Sequence, residues 1–332
     1  MTEPAQPAVD LRRLTDLCTP WCIHVAATLR IADHIACRED AGPVPVEDLA
    51  AAAGCDPRAL HAVLGHLVGA GIFLEPEPGC FARNAAAREL QAQSPFLDLN
   101  GIGGRMAGAW GTLLTYVRTG QPGYREAFGL PFWEDLAAHP TVAASFDALM
   151  GPSGHGEPSA DVAIAGGWEA VRSVIDVGGG TGSFLAALLR AHPHLHGTLV
   201  DLPGTVARAS DALRDPALAG RVAVCGQSFF DRLPPGADVY LLRKVLNDWP
   251  DAETVRILQS CAAAGGPDGR VVVTGGVVPD DAPRGLSIEM VLLGATHNTL
   301  AEFRNLAARA GLQVVGAGAQ SSGPFVVECR IF

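Results

Sequence analysis

Nine residues in the second half of the chain, Val174-Ile175-Asp176-Val177-Gly178-Gly179-Gly180-Thr181-Gly182, restrict the fold more than any other stretch. An apolar, β-branched run ends on glycines, and Phe184-Leu185-Ala186-Ala187-Leu188 then reads as a helix. Glycine permits positive φ and carries no Cβ, so a small molecule can lie against the backbone at such a turn. Short β-branched runs at 171–177, 198–200, 221–224, 239–242, 270–274 and 325–328 alternate with helical segments at 183–191, 204–213, 251–264 and 299–310. This alternation predicts an α/β fold, a doubly wound, Rossmann-like sheet, mostly parallel, with helices on both faces. Nineteen residues beyond Gly182, Leu199-Val200-Asp201 ends the next strand on a carboxylate, placed to accept from both hydroxyls of a ribose.

The first half reads differently. Leu17, Trp21, Val25 and Leu29 recur at helical steps of four between residues 11 and 36, with Pro20 breaking or starting a segment. Val46–Ala50 predicts a short helix ending at Gly54, and Asp56-Pro57 opens a second through Leu60, Val63, Leu64 and Leu67. Ile72-Phe73-Leu74, a Pro/Gly turn and Cys80-Phe81-Ala82 then read as a hairpin. Helix, helix and hairpin make a winged helix, yet its second helix carries only Arg58 as a formal positive charge, so a protein contact is favoured over DNA. At ~150 residues per domain the chain suggests two. The change of character places a mostly helical domain at 1–165 and the sheet domain at 166–332, with the Pro/Gly/Ser stretch 151–159 as a linker or a short helix connection.

Charge narrows the partners. Formal net charge is −11 and Lys244 is the only lysine, so neither a nucleic acid nor an anionic membrane surface is an expected partner. The first ten residues lack a basic end followed by an apolar run, and no apolar stretch approaches the ~20 residues of a membrane span, so a cytoplasmic protein is expected. The eight cysteines contain no C-x-x-C pair and the histidines no H-E-x-x-H motif. Reduced, mostly buried thiols and no metal are therefore the expectation.

The ligand at the glycine turn is a question of charge. A dinucleotide fingerprint wants G-x-G-x-x-G, whereas here Gly178-x-Gly180-x-Gly182 leaves Ser183 where the last glycine falls. Asp176 also opens the loop, where a pyrophosphate is repelled. A cationic nucleoside fits better, and S-adenosylmethionine carries both an ammonium and a sulfonium.

Asp176–Gly182, together with Asp201-Leu202-Pro203, Phe229-Phe230-Asp231 and Val245-Leu246-Asn247-Asp248-Trp249, resembles the S-adenosylmethionine-dependent small-molecule O-methyltransferases of the caffeic-acid and bacterial polyketide type. The resemblance covers nearly the whole chain and implies that the winged-helix half is a dimerisation domain. It implies that Gly178, Gly180 and their neighbours line the donor's methionine part, that Asp201 holds the ribose and that Leu202 packs near adenine. Ser228 and Phe229 match the adenine-contacting pair, Arg243 a basic donor contact, and Trp249 the cover of the donor site. Ser228 stands where the family usually has Asp, which implies a weaker adenine contact by ~1 kcal/mol.

Methyl transfer from a sulfonium needs the nucleophile and methyl held about 3–3.5 Å apart with water excluded. A phenol, with a pKa of ~10, also gains from losing its proton. In plant-type members a His in V-L-H-D-W removes it, steered by two Glu. Here Asn247 replaces the His, Gly275 falls where the first Glu belongs, and His297 occupies the position of the second. Two accounts compete: His297 is a relocated base while Asn247, beside Asp248, orients the acceptor, or proximity alone drives transfer to an ionised acceptor. A phenolate is also nucleophilic at its ortho carbon. C-methylation of a hydroxylated aromatic amino acid, tyrosine- or hydroxykynurenine-like, is therefore the alternative reaction, and a non-catalytic donor-binding winged-helix protein the alternative class.

The resemblance implies a homodimer acting on a small aromatic substrate in bacterial secondary metabolism, of the antibiotic-forming kind. The substrate pocket is expected between the domains, with apolar walls from Met106 and Trp110, then Phe146 and Met150, each pair one helical turn apart. In dimeric relatives the N-terminal arm reaches the partner's pocket, so Arg12 is a candidate for a substrate carboxylate.

Overall fold

The computed structural model describes residues 9–38, 42–150, 160, 162–209, 211–283, 285–295, 297–320 and 325–331. They divide into two compact units, Met1–Ala107 and Gly108–Phe332.

In the first unit a three-stranded antiparallel sheet has the order β1 (Val44–Pro45), β3 (Cys80–Arg83), β2 (Phe73–Glu77). Helix Val46–Ala53 stops where Gly54 turns left-handed at φ 66°, and Asp56 starts helix Pro57–Gly69 by accepting from the Ala59 N–H at 2.8 Å. Leu49, Leu60, Leu64, Leu67, Phe73 and Phe81 are buried in one core that joins these helices to the hairpin. The winged helix read from the sequence is present. Pro20 lies in the first turn of helix Cys18–Thr28, where its missing N–H costs nothing.

The second unit is built on a seven-stranded sheet of order β11-β12-β8-β7-β4-β5-β6. Its strands are β4 (Ser173–Val177), β5 (His196–Asp201), β6 (Val222–Gly226), β7 (Val239–Arg243), β8 (Arg270–Thr274), β11 (Leu312–Ala319) and β12 (Phe325–Ile331). β4 to β8 pair in parallel and the last two strands run antiparallel, so the sheet is mostly parallel as expected. Two small strands, β9 (Val277–Val278) and β10 (Asn298–Thr299), pair in parallel outside it. Both faces are covered. Val174, Leu199 and Leu241 pack in a cluster with Leu185 and Leu189 of helix Ser183–Ala191, while Ile175, Val200 and Leu242 pack with Ile257 and Phe303 of helices Asp251–Gly265 and Leu300–Arg309. Each such side chain contributes about 1.5–3 kcal/mol by leaving water.

Three expectations are corrected. The division falls at 107/108 instead of 165/166, because the helices between 113 and 150 pack into the sheet unit. Trp133 stacks on Trp249 with centroids 5.9 Å apart, and Pro122 lies against Gly294. The expected linker 151–159 lies outside the described residues. A single helix over 204–213 gives way to a short helix, Pro203–Val206, and a 3-10 turn, Asp211–Arg214, which turns Leu213 onto Gly182. Of the thiols only Cys261 and Cys329 are buried, since Cys18 and Cys37 ride on solvent-facing surface and the rest are half-covered.

Candidate active site

β4 lies at the middle of the sheet, with Asp176 registered opposite Leu199 of β5 and Leu241 of β7. That position buries the Asp176 side chain, which is 1% exposed. Burial, opposed by nearby Arg243, pushes its carboxyl up to about 7. Its Oδ2 is buried with no hydrogen-bond partner among the described residues. An unpaired buried acceptor of this kind is costly unless a donor arrives.

The turn after β4 keeps the backbone open beside that oxygen. Gly178 and Gly180 have φ of 69° and 62°, a region side-chain-bearing residues avoid, and a Cβ at Gly180 would meet open space. Asp201 closes β5 and its carboxylate is already oriented: Oδ2 accepts from the Gly180 N–H at 2.8 Å and Oδ1 from the Leu202 N–H at 2.7 Å. Burial raises its pKa and these two donors oppose the rise. Leu202 is 42% exposed at the rim.

The sequence-derived adenine and cover residues form an aromatic corner. Ser228 Oγ accepts from the Phe230 N–H at 3.2 Å, fixing the loop that carries Phe229. Trp249 meets Phe229 and Phe230 edge-on, with centroids 5.7 and 4.9 Å away. Arg243 ends β7 with its guanidinium 4.8 Å from the Phe184 ring centre, where burial depresses its pKa and Asp176 opposes that.

Asn247 and Asp248 share a 3-10 turn, Leu246–Asp248. Asn247 Nδ2 donates to Asp248 Oδ1 at 2.8 Å, and Asn247 Oδ1 is buried without a partner among the described residues. Burial, reinforced by Glu289, pushes the Asp248 carboxyl up to about 8. Gly276 packs directly on this turn: a Cβ there would lie 2.7 Å from the Asn247 backbone nitrogen. The Gly276 carbonyl accepts from the Asn298 N–H at 3.2 Å, so half-buried His297 is anchored on the segment next to Asn247. Gly275 leaves room for Lys244, whose Cα and Cγ would lie 3.2 Å from an added Cβ.

Among the expected pocket walls, Phe146 joins the aromatic corner through Trp133, which lies 5.8 Å from it and stacks on Trp249. Trp110 and Met150 are 41% and 48% exposed and Met106 is half-buried, so packing alone singles out none of these three as a wall. Arg12 is exposed on the short helix Leu11–Leu14 of the first unit. Sequence reading missed Trp133, although Phe132-Trp133 opens a helix whose apolar face is plain. It also missed Lys244, held at a left-handed φ of 55°. Such strain in a residue with a side chain gathers at functional sites.

Residues 110–313 match the family model described as an O-methyltransferase domain. The chain is 41% identical to the 2,7-dihydroxy-5-methyl-1-naphthoate 7-O-methyltransferase of Streptomyces carzinostaticus, over 93% of this chain and 94% of that protein. The chain belongs to the O-methyltransferase family. The methyltransferase is also 39% identical to aclacinomycin 10-hydroxylase RdmB of Streptomyces purpurascens, over 97% and 89% of the two chains. Among solved structures it resembles NcsB1 from neocarzinostatin biosynthesis, in complex with S-adenosyl-L-homocysteine and 1,4-dihydroxy-2-naphthoic acid, at a TM-score of 0.89 and 40% identity over 98% and 100% of the chains.

The donor is S-adenosylmethionine, and the site suits it. The unpaired Asp176 oxygen matches an ammonium, Asp201 a vicinal diol, and the glycine backbone leaves space for both. No helix among the described residues is long and apolar enough to cross a membrane.

Proposed function

We propose that the methyltransferase moves a methyl group to a phenolic hydroxyl of a small fused aromatic acid in antibiotic-type bacterial metabolism. The observation that carries this is the buried, unsatisfied Asn247 Oδ1, on a turn against which Gly276 packs while its carbonyl accepts from the N–H of Asn298, the neighbour of His297. When bound, S-adenosylmethionine supplies an electrophilic methyl on its sulfonium. Asn247, steadied by Asp248, accepts the phenol O–H and sets the oxygen in line. His297 takes the proton, since an amide is no base near neutral pH. Asp176, Gly178, Gly180, Asp201, Leu202, Ser228, Phe229, Arg243 and Trp249 hold the donor, while Phe146, Trp133 and the apolar Trp110 and Met150 take the ring.

The cytoplasmic enzyme pairs as a homodimer through its first unit, a reading supported by Leu11, Leu14, Leu17 and Trp21, which are 68%, 71%, 80% and 50% exposed. Incubation with S-adenosylmethionine and a panel of hydroxynaphthoic acids tests the reaction. Mass spectrometry and NMR of the product then show one added methyl on oxygen; a methyl on ring carbon, or no methylated product, refutes the oxygen assignment. Light scattering at micromolar concentration gives twice the chain mass; a monomer refutes the pairing.

A further inference from the structure

Far from the donor loop in sequence, the first unit brings two thiols and an imidazole together. Cys18 and Cys22 sit one turn apart on helix Cys18–Thr28, with Sγ atoms 3.8 Å from each other. His66, in the last turn of helix Pro57–Gly69, reaches the same spot, and its Nε2 lies 2.8 Å from Thr19 Oγ1. One ligand atom from each of Cys18, Cys22 and His66 falls within 4.8 Å of the others.

The separation is informative. Two sulfurs bound tetrahedrally to zinc at ~2.3 Å stand about 3.8 Å apart, the spacing that the helix already gives Cys18 and Cys22. Bringing the imidazole nitrogen to its own place takes about 1 Å, within reach of side-chain rotation because Cys18 and His66 are both solvent-exposed. Asp16 completes the surroundings. Its Oδ1 accepts from the Cys18 N–H at 2.8 Å and the Thr19 N–H at 3.3 Å, and its charge acts on both His66 and Cys22. Thiolate, thiolate and imidazole with a carboxylate alongside is the donor set of a borderline-soft divalent cation; magnesium and calcium take oxygen.

We propose that Cys18, Cys22 and His66 form a structural binding site for zinc or a cation of the same class. On binding, two S–H protons pass to solvent as two metal–sulfur bonds form, the imidazole gives its neutral lone pair, and Asp16 or a water takes the fourth position. The cation ties helix Cys18–Thr28 to helix Pro57–Gly69 and takes no part in methyl transfer. Sequence reading missed the site because its pair is C-x-x-x-C, the spacing of one α-helical turn, and its third ligand lies 44 residues further on.

Cobalt(II), titrated into the full reduced chain, is the probe. The expected result is one equivalent bound, with thiolate-to-cobalt charge-transfer bands and the intense visible bands of tetrahedral geometry, both erased by zinc. Cys22→Ser loses most of the charge-transfer intensity, Asp16→Ala weakens binding by about tenfold to a hundredfold, and Cys261→Ser changes nothing. Methyl transfer and circular dichroism report that each variant is folded. Absence of tetrahedral cobalt, or a signal that survives a Cys18→Ser/Cys22→Ser double substitution, overturns the proposal.

Discussion

The donor end and the acceptor end of the active site obey different rules. The proposed donor end is made of backbone and two carboxylates: glycines at positive φ, Asp176 with an unpaired oxygen, and Asp201 pinned by two N–H groups. The proposed acceptor end is made of side chains from separate elements, namely Asn247 on a turn, His297 on a small strand's approach, and Phe146 and Trp133 on helices. The donor is fixed chemistry and tolerates few solutions. The acceptor end proposed here carries an amide at Asn247 and gives the basic role to His297, with the donor loop unchanged from the pattern the sequence predicts.

That contrast breaks first at His297. His297→Ala lowers kcat by about 10²–10⁴-fold and leaves a rate that climbs only as the phenol itself ionises, while donor affinity is unchanged; turnover and pH profile equal to the wild type show that proximity alone suffices. Asp201→Ala is the mirror image. It weakens donor binding by about 10–100-fold, the loss of a charged hydrogen bond, with little effect on acceptor affinity. Asn247→Ala costs about tenfold in kcat/KM, one neutral hydrogen bond, and keeps the bell or plateau of the wild-type pH profile.

The smallest effect sharpens the electrostatics. Burial lifts Asp176 to about 7 and Asp248 to about 8, so the native chain holds protons that the unfolded chain releases near pH ~4. Stability from these groups is fully present below about pH 4 and is lost as pH rises through 7 and 8. Tm of the ligand-free methyltransferase therefore falls between about pH 4 and 8 and levels off above, and Asp248→Asn makes the fall shallower; a flat or rising Tm over that range contradicts the burial of these carboxyls.

How much of this the sequence shows follows the same divide. The strand–glycine–helix run and the ribose acid are local, so they are legible in order along the chain. β11 is not: Gly316 and Gly318 dilute an alternating edge strand that forms through its pairing with β12 and the burial of Leu312. The boundary at 107/108 is hidden for a related reason, since helices on its two sides look alike and long-range contacts such as Trp133 on Trp249 and Pro122 on Gly294 assign the later ones to the sheet unit. His297 is visible as a position, while the packing of Gly276 on the Asn247 turn and its bond from the Asn298 N–H are contacts no spacing reveals.

The most direct measurement is a calorimetric titration of the purified methyltransferase with S-adenosylmethionine and with S-adenosylhomocysteine. One equivalent of each binds to the wild type, and binding weakens sharply in Asp201→Ala. No heat from either compound, or the same affinity with and without the Asp201 carboxylate, contradicts the account at its base.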